Sequence, residues 1–402
     1  MLSSQFCDDN PNLNINQRMQ FKLTEEQLMI QQAARSFAKN SCLPGVIQRD
    51  EVQQFPTEQI KELASLGFMG MMVDPAYGGA GMDTISYVLA MEEISKVDAS
   101  TSVCMSVNNS LVCWGLEKYG NEEQKTKYLV PLAKGTNNDD LYIGAFLLSE
   151  PEAGSDATHQ HTTAIDHGDY YIINGVKNWI TNGNSASVYL VMAQTDASKG
   201  AKGINTFIVE KNQEGVKVGP KENKLGIRSS DTHSIFFTDV KVPKSQRIGP
   251  DGFGFRYAME TLNGGRIGIA AQALGIASGA YELALAYSKQ RKSFGKPIHE
   301  HQAIQFKLSE MATRIEAARL LCFKAAYEKD QGLDYSTSAA MAKLYASETA
   351  MWVTIEAVQV HGGYGFVKEF HVERLMRDAK ITQIYEGTSE VQKMVIGRAI
   401  TR

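Results

Sequence analysis

Near Asp140 the apolar spacing of the chain changes from a helical rhythm to short β-rich runs, and near Val242-Pro243 it changes back. A chain patterned in this order does not alternate strands with helices; it separates them into layers. Ahead of the first change, Thr24 and Gln27 form a capping box before Leu28, Ile30, Ala33, Ala34 and Phe37, which share one helical face to about Asn40. Further helices are expected over 56–67, 84–95, 102–119 and 122–133. Between the changes, segments 142–148, 170–173, 188–193, 206–209 and 234–240 are rich in β-branched and aromatic residues and are separated by turn signals. Beyond them, 252–289, 300–329 and 335–360 read as long helices, followed by 371–381 and one last helix. The expectation is an α+β protein with a flexible arm over 1–20, an N-terminal helical domain over 21–138, a middle β domain over 139–248 and a C-terminal helical domain over 249–402. The long helices are apolar on more than one side, as in 267–275, so they need partners on several faces. Gly275, Ala277, Ser278, Gly279 and Ala280 permit a close approach of helices, within the bundle or between subunits.

Charge and composition narrow the function classes. With 402 residues the chain can bury a large core, and a formal charge of −4 with scattered Lys and Arg gives no basic footprint for nucleic acid. No run is read as a transmembrane helix, so no membrane insertion is expected. The first twenty residues show neither an apolar signal core nor an Arg-rich amphipathic pattern. Cys7, Cys42, Cys104, Cys113 and Cys322 are odd in number and lack Cys-x-x-Cys spacing, which fits a reducing compartment. The bacterial cytoplasm is the expected location, with the mitochondrial matrix as the alternative for a eukaryotic source.

The chemistry-bearing residues gather at the breaks between elements. Gln383, Ile384, Tyr385, Glu386, Gly387 and Thr388 follow the charged helix over 371–381, and Ser389 with Gln392 fits a capping box for the last helix. Glu386 therefore falls in a joint, where Gly387 can take the positive φ that divides the two helices. It is either a solvated turn residue or a general base. Leu148, Ser149, Glu150 and Pro151, then Gly154, Ser155 and Asp156, end a strand with hydroxyls and backbone N–H groups, as an ordinary exit or as a grip on a polar ring or phosphate. Trp179, Ile180 and Thr181 end another strand. Arg291, Phe294, Gly295 and Pro297 divide two long helices, either as a solvated, dipole-favoured helix end or as a phosphate clamp. Gln359, Val360, Gly362 and Gly363 close the third, as a plain cap or as bare backbone for a ligand. The loop over 74–81 holds enough glycine for a backbone to approach a ligand, but it lacks the dinucleotide pattern. His159, His161 and His167 share no metal-ligand spacing, and no metal site is expected.

Taken together and in this order, these pieces resemble the acyl-CoA dehydrogenase family from about Phe21 to Arg402. Lys224, Leu225, Gly226, Ile227 and Arg228 belong to the likeness, as do Leu262, Asn263, Gly264, Gly265 and Arg266. The resemblance implies an N-terminal helical domain, a β-barrel-like middle domain and a C-terminal four-helix bundle. It also implies FAD between the β domain and the C-terminal helices, a homotetramer, and electron transfer to an electron-transferring flavoprotein. Phe146, Leu148, Ser149, Gly154, Ser155, Trp179, Ile180 and Thr181 would line the flavin and ribityl region. Arg291, Phe294 and Gln302 would hold the pyrophosphate side. Gln359, Val360, Gly362 and Gly363 would reach the dinucleotide across a subunit boundary, and Thr388, Ser389 and Glu390 would also touch the cofactor. Ser155, the Asn263–Arg266 turn, Tyr385 and Gly387 would contact the acyl-CoA.

In such an enzyme Glu386 would remove the α-proton of a thioester while the β-hydride passes to flavin, giving a trans-2-enoyl-CoA. Some relatives draw the base from the first long helix, but the position before Arg266 is Gly265. Members acting on glutaryl-CoA carry an arginine before Met105, Ser106 and Val107, where this chain has Ser102, Val103 and Cys104. The pattern looks most like the short-chain, butyryl-CoA type. An oxygen-using acyl-CoA oxidase and a non-catalytic acyl-CoA or flavoprotein-binding scaffold are the alternatives.

Overall fold

The computed structural model describes residues 22–401, so the arm over 1–20 lies outside the described residues. The N-terminal layer comprises α1 (Glu25–Phe37), α2 (Val46–Glu51), α3 (Thr57–Ser65), α4 (Thr84–Ser95), α5 (Ala99–Ser106), α6 (Trp114–Tyr119), α7 (Glu122–Gln124) and α8 (Val130–Lys134). The capping box at Thr24 and Gln27 forms as expected. The helix expected to open at 102 opens at Ala99, because the Asp98 side chain accepts hydrogen bonds from Ser100 N and Thr101 N. A π-type segment, Val107–Cys113, then fuses α5 to α6. Such segments widen the helix and re-aim its side chains. In the loop over 74–81 the glycines serve the loop itself: a Cβ on Gly79 would lie 2.2 Å from Val73 O.

The middle of the chain begins with a small hairpin of β1 (Thr136–Asn137) and β2 (Asp140–Leu141). There follow β3 (Gly144–Leu147), β4 (Thr163–Asp166), β5 (Tyr170–Thr181), β6 (Val188–Gln194), β7 (Ile204–Glu210), β8 (Val216–Lys221), β9 (Thr232–Pro243) and β10 (Arg247–Ile248). These eight strands form one sheet in the order β10-β7-β6-β4-β5-β9-β8, with β3 joining at β6. Strand β6 is buried along its whole length: Val188, Leu190 and Met192 pack with the helices, while Tyr189, Val191 and Ala193 pack in the sheet's own core. That two-sided burial explains its unbroken apolar run. Strand β5 is far longer than the expected 170–173, because register shifts after Ile173 and Lys177 break its alternation.

The C-terminal layer comprises α9 (Gly254–Gln290), a hairpin of β11 (Lys292–Ser293) and β12 (Lys296–Pro297), then α10 (Gln302–Asp330), α11 (Ser336–His361), α12 (His371–Ile381) and α13 (Ser389–Ile400). Helices α9, α10 and α11 pack on one another, α12 fits against α9 and α11, and α13 lies on α11. Contrary to the sequence reading, α9 is long and apolar enough to cross a membrane, but most of its apolar stretch is buried inside the protein as the central helix of the core. Its small residues meet the N-terminal layer: a Cβ on Gly275 would lie 2.4 Å from Glu92 O, and one on Gly279 would lie 2.3 Å from Lys96 O. The close approach is therefore internal to the chain. Residues 224–228 lock the β domain to α12, since a Cβ on Gly226 would lie 2.2 Å from Arg377 O and Ile227 N donates to Asp378.

Candidate active site

Glu386 occupies the joint between α12 and α13 with φ of 52°, and Gly387 follows at 91°. Left-handed backbone at a non-glycine residue is strained and has to be held by its surroundings. The turn aims the carboxylate at α9, where Gly265 leaves the room it needs: a Cβ there would lie 2.1 Å from Glu386 Oε2 and 2.8 Å from Leu111 Cδ2. Leu111 comes from the π-type segment, so three separated parts of the chain converge on this carboxyl. Oε2 is buried and has no hydrogen-bond partner. Burial raises the Glu386 pKa from 4.5 to about 7, against the pull of Lys343 and Arg266. The residue as a whole is half-buried, with Oε2 turned inward rather than solvated.

Side-chain donors hold the joint. Lys343, fully buried on α11, donates from Nζ to Gly387 O at 2.7 Å. Gln392 Nε2 donates to Gly387 O at 2.8 Å and to Glu386 O at 3.2 Å. The capping expectation needs correction: Thr388, not Ser389, caps α13, its hydroxyl accepting from Val391 N at 3.3 Å. Ser389 is buried and donates to Glu348 Oε1 at 2.7 Å, while Glu390 is exposed. Asn263 and Arg266 also differ from expectation, because they lie inside α9 rather than in a turn. One helical turn apart, they join through Arg266 Nη1 and Asn263 Oδ1 at 2.7 Å. Arg266 is buried, and desolvation lowers its pKa against the pull of Glu386.

The face of α9 that begins at Gly265 is closed one and two turns further on. A Cβ on Gly268 would lie 2.6 Å from both the Tyr87 hydroxyl and Ser106 Oγ, and Tyr87 donates to Ser106 at 2.9 Å. Next on that face, Gln272 is fully buried; its Nε2 donates to Ala99 O at 2.8 Å and its Oε1 accepts from the Tyr385 hydroxyl.

On the β domain, the structure brings the two expected strand ends together. Asn178 N donates to Ser149 O at 2.9 Å, and the buried Lys177 donates to Leu148 O at 3.1 Å and to Glu150 Oε1 at 2.7 Å. Beside them Trp179 sits in a bulge at φ 62° with its side chain 60% exposed, while Ile180 is buried and Thr181 half-buried. Phe146 is half-buried opposite Leu190, and Gly154 and Ser155 are exposed, with open space where a Gly154 Cβ would stand.

A second cluster forms where α9 and α11 end. The Arg291 guanidinium lies 5.7 Å from the centre of the Tyr364 ring. Phe294, Gln302, Gln359, Gly362 and Gly363 are exposed, and Gly362 and Gly363 face open space. Val360 is the exception: its side chain is part of the core, leaving only its backbone for a ligand. Among the described residues no hydrogen bond joins this cluster to the β-domain strand ends. Nor does any group of His, Cys, Asp or Glu suited to a metal occur among them.

The sequence reading missed Lys343, Lys177, Gln272 and Tyr87. A lysine in Ala339-Ala340-Met341-Ala342-Lys343 and a glutamine in the Gly-Ala stripe of α9 were signals available to it, since a lone polar residue in a buried stripe needs a partner.

The chain matches known proteins along nearly its whole length. Family profiles described as "Acyl-CoA dehydrogenase, N-terminal domain", "middle domain" and "C-terminal domain" match residues 24–136, 145–240 and 252–401. A short-chain specific acyl-CoA dehydrogenase of Clostridium acetobutylicum is 50% identical over 384 residues, covering 96% of this chain and 100% of the relative. The solved butyryl-CoA dehydrogenase of Megasphaera elsdenii is 49% identical with a TM-score of 0.93, covering 96% of this chain and 100% of that one. Equal figures, 49% identity, a TM-score of 0.93 and coverage of 96% and 100%, hold for a chain in a structure described for the electron transferring flavoprotein of Acidaminococcus fermentans and flavin-based electron bifurcation. With the fold, the three domains in order and near-complete overlap in agreement, the chain belongs to the acyl-CoA dehydrogenase family and is an oxidoreductase.

Proposed function

We propose that this chain dehydrogenates a short-chain acyl-CoA to the trans-2-enoyl-CoA, with Glu386 as the base that takes the α-proton. The observation that carries the proposal is the buried, unpartnered Glu386 Oε2 aimed at the bare backbone of Gly265. A solvated carboxylate is too weak a base for a thioester α-proton. Desolvation narrows the gap, and a pKa of about 7 is close to the ideal for a base working near neutral pH. The left-handed turn at Glu386 also frees its backbone N–H to donate to the thioester oxygen, where negative charge develops as the proton leaves. Tyr385 and Gly387 fix this segment from either side, and Asn263 and Arg266 on α9 with Ser155 at the β-domain exit are assigned to the CoA portion.

The residues fit FAD. Trp179 offers an exposed ring in a rigid bulge beside the pinned backbone of Leu148 and Ser149, and Gly154 leaves space in front of them. Phe146, Ile180 and Thr181 support that wall, and Thr388, Ser389 and Glu390 border the joint. Arg291, Phe294 and Gln302, with the exposed backbone of Gln359, Val360, Gly362 and Gly363, would hold the dinucleotide side of a neighbouring subunit's cofactor. When bound, FAD supplies the acceptor for the β-hydride. A homotetramer suits this division of the site, and Phe294 and Phe366, 97% and 86% exposed, offer apolar contact for it. An electron-transferring flavoprotein is the proposed electron acceptor, on the strength of the Acidaminococcus likeness.

Preference for short chains rests on the floor beneath Glu386, where Tyr87, Ser106 and Gln272 fill the face of α9 with hydrogen-bonded polar groups. The test of the base is Glu386→Gln. Anaerobic butyryl-CoA should bleach the flavin band of the wild type, while the variant should bind FAD and butyryl-CoA without bleaching. Bleaching at the wild-type rate in the variant would remove Glu386 from the role.

A further inference from the structure

Glu386 has to be ionised, buried and bent into a left-handed turn at once, and none of these conditions is self-supporting. The side chain placed to meet all three is Lys343. It stands on α11 among Ala339, Ala340, Ala342 and Ala346, all fully buried, in a stripe where packing alone would favour another small residue. Its own side chain is fully buried, and among the described residues its ammonium has one hydrogen-bond partner, the carbonyl of Gly387 directly after the base. A buried ammonium persists only where charge and hydrogen bonding compensate it.

We infer that Lys343, assisted by Gln392, is a positioning residue for Glu386: it anchors the left-handed joint through Gly387 O and supplies the positive charge that keeps the carboxylate ionised. The inference rests on the reading of Glu386 as the base. Gln392 completes the anchor by donating to the carbonyls of both Glu386 and Gly387. The charged and titratable groups facing Glu386 are Lys343 from α11, Arg266 from α9 and Tyr87 from α4, with Tyr385 beside it in the chain. Lys343 is itself faced by Glu386, Arg266, Glu348 and Glu390. Of the two cations, Arg266 is hydrogen-bonded to Asn263 on its own helix, so only Lys343 couples its charge to the backbone that carries the base. Burial pushes Lys343 down to about 8, with the Glu386 charge opposing that fall, so each group sustains the charge of the other.

The test uses the FAD-loaded enzyme with Lys343→Met, Lys343→Gln and Lys343→Arg. The readout is the pH midpoint of flavin reduction by butyryl-CoA in a single turnover, together with FAD content. Removing the charge in the Met and Gln variants should move the midpoint up by about one pH unit or more, a roughly tenfold slower reduction on the acid side. The Arg variant should keep the wild-type midpoint whatever its maximal rate. A purely structural lysine would change FAD content or stability and leave the midpoint alone. If the Met variant does not fold, the Gln and Arg pair decides, because Gln keeps a donor without the charge and Arg keeps the charge. Midpoints in the charge-free variants within about 0.3 of wild type overturn the inference. Should Glu386→Gln still reduce flavin, the reading of the base fails; should it be inert while the Lys343 midpoints stay put, only the role of Lys343 fails.

Discussion

Gly265→Ala adds one methyl group to the wall of the site, and the structure fixes where that methyl must go. Its carbon would lie 2.1 Å from Glu386 Oε2, 2.9 Å from Glu386 Cδ and 2.8 Å from Leu111 Cδ2. An ordinary carbon–oxygen contact is ~3.2 Å, so the carboxyl has to retreat by ~1 Å. Its backbone cannot follow freely, since the carbonyls of Glu386 and Gly387 are held by Gln392 and Lys343. Misplacing a reacting group by that amount costs about a hundredfold in rate. Stability responds differently: alanine in place of a mid-helix glycine contributes ~1 kcal/mol, and overpacking costs ~1–3 kcal/mol, so the two largely offset. The expected signature is a small change in Tm, full FAD content, and a hundredfold loss in the single-turnover rate of flavin reduction at saturating butyryl-CoA. A Gly265→Ala enzyme that reduces its flavin within a factor of about three of wild type would refute the argument that this missing side chain makes room for the base.

The same carboxyl has a pH-dependent effect on stability. Its folded pKa, raised from 4.5 to about 7, lies above the unfolded value, so the native state holds the proton more tightly and loses ~3 kcal/mol as pH rises through that window. Glu386→Gln escapes this loss, so its Tm measured relative to wild type should rise between pH 5 and pH 8; an unchanged difference would contradict the burial of the charge. Gln272→Ala removes the fully buried side chain two turns beyond Gly265 and should raise kcat/KM for hexanoyl-CoA relative to butyryl-CoA by roughly tenfold. An unchanged ratio would mean that the acyl chain does not run along this face.

Much of this architecture is legible in the sequence, because helix and strand impose different spacings and the chain uses each in an unbroken block. Helix α4 occupies the residues expected of it, and the structure caps it locally at Asp83, whose side chain accepts from Ser86 N. Strand β5 was truncated in the reading because Gly175 and Lys177 interrupt its alternation, and the partner that makes a buried Lys177 tolerable, Glu150, is supplied only by the tertiary fold. The site divides along the same line. Glu386 is visible as a carboxylate in a glycine-bearing break, a local pattern that leaves a solvated turn and a general base both open until the family resemblance favours the base. Lys343 and Gln272 are not visible in this way, because their roles depend on which helix lies opposite, and that is a long-range fact.

The shared core of the two helical layers bears on how the chain comes to be folded. Val88, Met91 and Ile94 of α4 lie in one apolar cluster with Ile267, Ala271 and Leu274 of α9, while the sheet keeps a second cluster of its own. A nascent chain therefore releases the first half of its main core well before the second half exists. At synthesis rates of ~5–20 residues per second, that interval lasts roughly ten to forty seconds. Throughout it the leading helices present uncovered apolar surface to a crowded interior. A fragment ending before α9 should accordingly bind hydrophobic dyes and aggregate, and a fragment that stays monomeric and dye-free would show that the leading layer completes itself without α9.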